Sequence, residues 1–156
     1  MTEGPHVLIV EARFYEDIAD ELVKGAIAEL ERVGASHERI AVPGAFEIPA
    51  TVRCAIMSTD MSTGRRGYDA YIALGCVIRG ETSHYDYVCS ESARGLMDLS
   101  TRHAIALGYG IVTCENREQA WARAEVEGNG KNKGGDAARV ALAMFEAKRQ
   151  FGLVPS

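Results

Sequence analysis

The stretch "YDAYIALGCVIRGETSHYDYV", Tyr68 to Val88, changes its period in the middle, and that change sets the fold. As far as Ile78 it is an apolar run with small and β-branched residues, the pattern of a buried strand. From Ser83 onward the apolar positions Val88, Cys89, Ser92, Ala93, Leu96 and Leu99 recur at helical spacing. Between the two lie Arg79, Gly80, Glu81, Thr82, Ser83 and His84 without a break. A strand therefore runs through a short polar turn into a helix, and Ser83 with Asp86 reads as a capping box at the helix start.

The same alternation extends in both directions. "HVLIVEA", His6 to Ala12, reads as a first strand buried on both faces. After it, Ile18, Leu22, Ala26, Ile27, Leu30 and Val33 mark a helix, with Gly34 as its stop. "RIAVPG" is a second strand. Pro49 predicts the first turn of a helix running through "ATVRCAIM", with Ile48 extended before it. "STDMSTGRRG" reads as a polar loop. "AIALGYGIVTC" is a fourth strand whose internal glycines mark a bulge or a close approach. Asn116 and Gln119 open the helix "REQAWARAEV"; "EGNGKNKGGD" is a glycine-rich connection; a last amphipathic helix carries Val140, Leu142, Met144 and Phe145. The βαβα order predicts an α/β fold with a parallel sheet and helices on both faces, in a single domain over residues 1–156.

The totals narrow the function. The 156-residue chain is 47% apolar and 25% charged, with a net charge of -5. An acidic chain with no basic stripe does not suit nucleic acid, whose phosphates demand clustered Lys and Arg. No apolar run approaches membrane-spanning length, and the N-terminus has no basic region followed by an apolar stretch, so neither a membrane span nor a signal peptide is expected. Four scattered cysteines without a C-x-x-C fit reduced thiols in a cytoplasmic protein, with no metal site expected.

In open parallel sheets ligands bind beyond the carboxyl ends of the strands. "EARFYE", "VPGAFEIP", "VIRGETSH" and "GIVTCEN" fall there. The turn from Gly80 to Ser83 at a helix start suits an anion, most simply a phosphate, or equally an ordinary capped turn. His84 beside it suits acid–base work, since a helix N-terminus disfavours the imidazolium; its plain alternative is a surface histidine. Glu47 in "GAFEIP" suits substrate hydroxyls or amines, or simple turn chemistry. Phe14 and Tyr15 suit a stacking platform or packing.

Taken in order, "ARF", "VPGAFEIPA", "ALGCVIRGETSHYDYV", "GIVTCENREQAWARA" and "NKGGDAARVAL" resemble the 6,7-dimethyl-8-ribityllumazine synthase family over nearly the whole chain. That resemblance implies a flavodoxin-like, three-layer α/β sandwich with strand order 2-1-3-4. It implies the penultimate step of riboflavin biosynthesis, in which a ribitylamino-pyrimidinedione condenses with 3,4-dihydroxy-2-butanone 4-phosphate without metal or redox cofactor. By motif it makes Phe14 the aromatic that stacks on the pyrimidine, and Ala45, Phe46 and Glu47 the turn that holds the ribityl chain. Cys76, Val77 and Ile78 become backbone contacts to the ring, Gly80, Glu81 and Thr82 the phosphate loop, and His84 the catalytic histidine. Tyr109, Arg123 and Lys133 become contributions of a neighbouring subunit, because the family forms pentamers with sites between subunits. Some members build larger shells; the long connection "AEVEGNGKNKGG" favours a plain pentamer here. Rival readings are a flavin- or lumazine-binding relative without turnover, a shell protein without catalysis, and a cysteine hydrolase using Cys76 or Cys114.

Overall fold

The computed structural model describes residues 4–60 and 67–154. Four strands, β1 (His6–Ala12), β2 (Ser36–Val42), β3 (Ala70–Ile78) and β4 (Leu107–Cys114), form one sheet. All pairings are parallel and the order is β2-β1-β3-β4. The helices are α1 (Glu16–Arg32), α2 (Ile48–Asp60), α3 (His84–His103), α4 (Arg117–Ala124) and α5 (Lys133–Gln150).

Side-chain alternation divides β1 between two cores. Val7 and Ile9 pack with α1, α4 and α5 on one face. Leu8, Val10 and Ala12 pack with α2 and α3 on the other. The central strands β1 and β3 are thus covered on both faces, which is why they read as continuous apolar runs. β2 and β4 are the sheet's edges, and β2 is largely exposed.

The ends of α1 follow its sequence. Gly34 adopts φ +74°, and the amide of Ala35 reaches back to the carbonyl of Leu30 at 2.9 Å while Gly34 bonds Glu31. This is a Schellman stop, with glycine at the left-handed position.

Several expectations need correction. Ile48 is helical, with φ -65° and ψ -47°. A 3-10 turn over Ala45–Glu47 leads directly into α2, and the extended residue is Gly44 instead. Pro49 still lies in the first turn, where its missing amide costs nothing. Residues 58–60 continue α2, while 61–66 of the expected loop lie outside the described residues. Ser83 makes no side-chain cap; Thr82 takes that role, accepting the amide of His84 at 3.3 Å. Ala93 is exposed and Cys89 only half-buried, so the inner stripe of α3 is Val88, Ser92 and Leu96.

The last helix starts inside the expected connection, at Lys133, and buries Gly134, Gly135, Ala137, Ala138 and Ala141. Val140 and Met144 are exposed. Small residues are required because α5 lies against α1 and β4 at backbone distance. A Cβ at Gly134 would overlap the Leu22 carbonyl, and one at Gly108 the Ala137 carbonyl. The glycines of β4 therefore mark the close approach of a helix.

Candidate functional site

At the carboxyl ends of β1, β2 and β3 an open cleft of about 520 Å³ is lined by residues from four segments. Phe14 and Tyr15 follow β1. Pro43 to Glu47 follow β2. Cys76, Val77 and Ile78 end β3. Gly80, Thr82, His84, Tyr85 and Val88 continue into α3. Ten of the fourteen expected site residues share this one cavity. Glu81 is exposed on the same turn but outside the lining.

Each wall has its own support. Phe14 is 73% exposed and meets Tyr15 edge-on at 4.9 Å, leaving an aromatic face open to the cleft. Glu47 and Phe46 are carried on the 3-10 turn, closed by the amide of Glu47 on the carbonyl of Gly44 at 3.2 Å. Both are exposed, whereas Ala45 between the turn and the sheet is buried. Cys76 is buried, and that burial pushes its thiol up to about 12. Burial raises the Cys114 thiol as well, and a neutral thiol is a poor nucleophile, which counts against a cysteine hydrolase at either residue.

The turn after β3 is held by Arg79. Arg79 bonds Glu115 at 2.9 Å, lies 3.5 Å from Asp86, and stacks over the Tyr85 ring at 4.3 Å. Gly80 is left open: its φ is not left-handed, and nothing stands within 4 Å of where a Cβ would be. Among the described residues nothing therefore demands glycine at position 80. The helix start behind it, with its amides and positive dipole end, faces the same space.

Tyr109, Arg123 and Lys133 do not join this cleft. They line a second cavity of about 490 Å³ along the β4 edge, with Thr113, Asp136 and Val140 among its other walls. Tyr109 stands on the α3 side of β4, in line with Ile111, while Arg123 and Lys133 come from α4 and α5. The Arg123 guanidinium bonds the Gln119 carbonyl at 3.2 Å, and Lys133 lies 3.4 Å from Asp136. The two linings share no residue.

Sequence reasoning missed Pro43, Gly44, Tyr85 and Val88 as lining residues. Tyr85, Val88 and Ser92 lie on one helical stripe, so the spacing contained a signal for the first two. It also missed Glu11, a carboxylate 3% exposed within β1. A charge inside a strand buried on both faces signals an ionic partner, and the partners here are Arg13 and the more exposed Arg39.

A parallel α/β domain with this strand order, and a small-molecule cleft flanked by a helix start beyond its strand ends, defines a flavodoxin-like ligand-binding fold. Comparison with known proteins narrows the class. The model of the family described as 6,7-dimethyl-8-ribityllumazine synthase matches residues 4–149. A protein of Rhodopseudomonas palustris named 6,7-dimethyl-8-ribityllumazine synthase 1 is 57% identical over 148 residues, covering 95% of this chain and 88% of its own. The 6,7-dimethyl-8-ribityllumazine synthases of Bartonella tribocorum and Agrobacterium fabrum are 52% and 53% identical, covering 97% and 95% of this chain and 95% and 97% of their own. The chain belongs to the 6,7-dimethyl-8-ribityllumazine synthase family, a family of transferases.

Proposed function

We propose that this chain, acting as one domain over residues 1–156, condenses 5-amino-6-(D-ribitylamino)uracil with 3,4-dihydroxy-2-butanone 4-phosphate. The products are 6,7-dimethyl-8-ribityllumazine, phosphate and water. The carrying observation is the single cleft that gathers an open aromatic face, a carboxylate turn, a strand end, an open glycine turn and an imidazole.

The pyrimidine lies against Phe14, with the backbone groups of Cys76 to Ile78 at its edge. Its ribityl chain extends over Ala45, Phe46 and Glu47, where the carboxylate accepts hydroxyl hydrogen bonds. The phosphate sits at Gly80, Glu81 and Thr82, with the Glu81 side chain turned outward. The free amine attacks the ketone and the resulting carbinolamine loses water to give an imine. Phosphate then leaves, and the ribitylamino nitrogen closes the ring with loss of a second water. His84, on the cleft wall beside the leaving phosphate, moves the protons that these steps require. Most of the remaining acceleration comes from holding two substrates in register.

The protein acts in the cytoplasm as a homopentamer. Tyr109, Arg123 and Lys133 of one subunit complete the cleft of the next, Arg123 and Lys133 meeting the phosphate. The separation of these three residues from the cleft of their own chain supports that arrangement, since a closed ring brings one face against another. Mass measurement on the purified protein tests the ring, and appearance of fluorescent lumazine from the two substrates tests the reaction.

A further inference from the structure

We propose that Glu11 is a positioning residue for the pyrimidine. It ties the turn after β1 to strand β2, and so fixes the aromatic face of Phe14 relative to the strand that leads into the second wall of the cleft. The proposal rests on the function proposed above.

Glu11 lies in β1 opposite Ala41 of β2 and Leu74 of β3. One carboxylate oxygen accepts Arg13 Nη1 at 2.9 Å and Arg39 Nη2 at 2.8 Å; the other accepts Arg39 Nε at 2.8 Å. Arg39 is on β2, three residues before the strand ends at Val42. Arg13 is the residue before Phe14. Its Nε bonds Glu16 at 2.9 Å, its Nη2 meets Asp20, and its backbone amide bonds the Val42 carbonyl at 3.1 Å. Arg13 is thus held by the strand behind it, the helix ahead of it and the strand beside it. Phe14, exposed and braced edge-on by Tyr15, takes its direction from that clamp.

Stability alone does not call for a carboxylate here. An apolar residue would continue the "HVLIV" run, and the desolvation of the one buried carboxylate offsets much of its attraction to the more exposed Arg13 and Arg39. A planar guanidinium fork does what an apolar contact cannot: it fixes direction as well as distance. Arg13 divides its fork among three carboxylates, and Glu11 is the buried one that links it to Arg39 on β2.

The test compares Glu11→Gln, Phe14→Ala and the double variant. It reads steady-state kinetics for each substrate and binding of fluorescent 6,7-dimethyl-8-ribityllumazine. Glu11→Gln should raise KM for the pyrimidine and Kd for the lumazine by about tenfold, the scale of a small misplacement at a site. KM for the butanone phosphate should stay within about twofold. Added to Phe14→Ala, Glu11→Gln should have little further effect on either quantity. Unchanged pyrimidine and lumazine binding, an equal rise for both substrates, or a full additional loss on top of Phe14→Ala would each overturn the proposal. If Glu11→Gln does not fold, Arg13→Lys keeps the charge, loses the fork and is judged by the same outcomes. A wild-type protein that binds lumazine but makes none would refute the enzyme reading, and the binding measurements would still decide the role of Glu11.

Discussion

The Thr82 hydroxyl accepts the backbone amide of His84 at 3.3 Å, so the residue that caps α3 also fixes where the imidazole leaves the backbone. His84 is exposed on the cleft wall, next to the open backbone at Gly80. His84→Ala should lower kcat by roughly 100- to 10,000-fold, the usual value of a positioned acid–base group. KM for both substrates should change far less. A variant with wild-type turnover would remove His84 from the mechanism.

Two glycines with opposite surroundings separate ligand room from packing room. Gly134→Ala must push a methyl group into the Leu22 carbonyl, and overpacking of this kind costs about 1–3 kcal/mol, seen as a lower melting temperature. Gly80→Ala meets nothing among the described residues and should leave the melting temperature unchanged. It should instead raise KM for the butanone phosphate by about tenfold, a difference of ~1.4 kcal/mol. If Gly80→Ala melts early, or binds the phosphate normally, the turn has no phosphate role.

The separation of Arg123 from the His84 cleft predicts complementation between chains. Arg123→Ala should raise KM for the phosphorylated substrate more than for the pyrimidine. Unfolding His84→Ala and Arg123→Ala chains together and refolding them as a mixture should restore activity at about a quarter of the sites, because some interfaces then pair an intact cleft with an intact neighbouring face. At subsaturating butanone phosphate, a mixture no more active than its share of refolded Arg123→Ala chains would place Arg123 in the cleft of its own chain or outside the site altogether.

Burial raises the Cys76 thiol to about 12 from an ordinary value near 9, and raises the Cys114 thiol as well. Above pH 9 the unfolded chain therefore loses thiol protons that the folded chain keeps. Proton loss then favours unfolding, so stability should fall as pH rises from 9 to about 12 and be flat with respect to these groups below 9. Cys76→Ala should flatten the alkaline slope in denaturant melts while leaving turnover at neutral pH largely intact. Loss of turnover in that variant, with the fold preserved, would revive a reactive thiol.

The parallel sheet and most element boundaries were legible because apolar period changes cleanly from strand to helix along this chain. Strand order came only from the resemblance of motifs, since no periodicity says which strands are neighbours. Ile48 was misread because the restriction before proline was weighed without the 3-10 turn that feeds the helix. Ser83 matched a capping pattern, but Thr82 one residue earlier reaches the helix amide first. The inner face of α5 was hidden because its contacts are glycines and alanines, which carry little hydrophobic signal. Within the site, residues that follow strand ends were found by position, whereas Tyr85 and Glu11 are defined by partners distant in sequence, Thr113 for one and Arg39 for the other.

The central claim is that the cleft beyond β1, β2 and β3 makes 6,7-dimethyl-8-ribityllumazine. The most direct measurement incubates purified protein with 5-amino-6-(D-ribitylamino)uracil and 3,4-dihydroxy-2-butanone 4-phosphate, beside His84→Ala and a protein-free control, and follows lumazine fluorescence together with released phosphate. The account predicts equal amounts of lumazine and phosphate, formed at a rate that rises with wild-type protein and drops close to the control in His84→Ala. Wild-type protein that binds the pyrimidine yet leaves both products at the protein-free rate would contradict it.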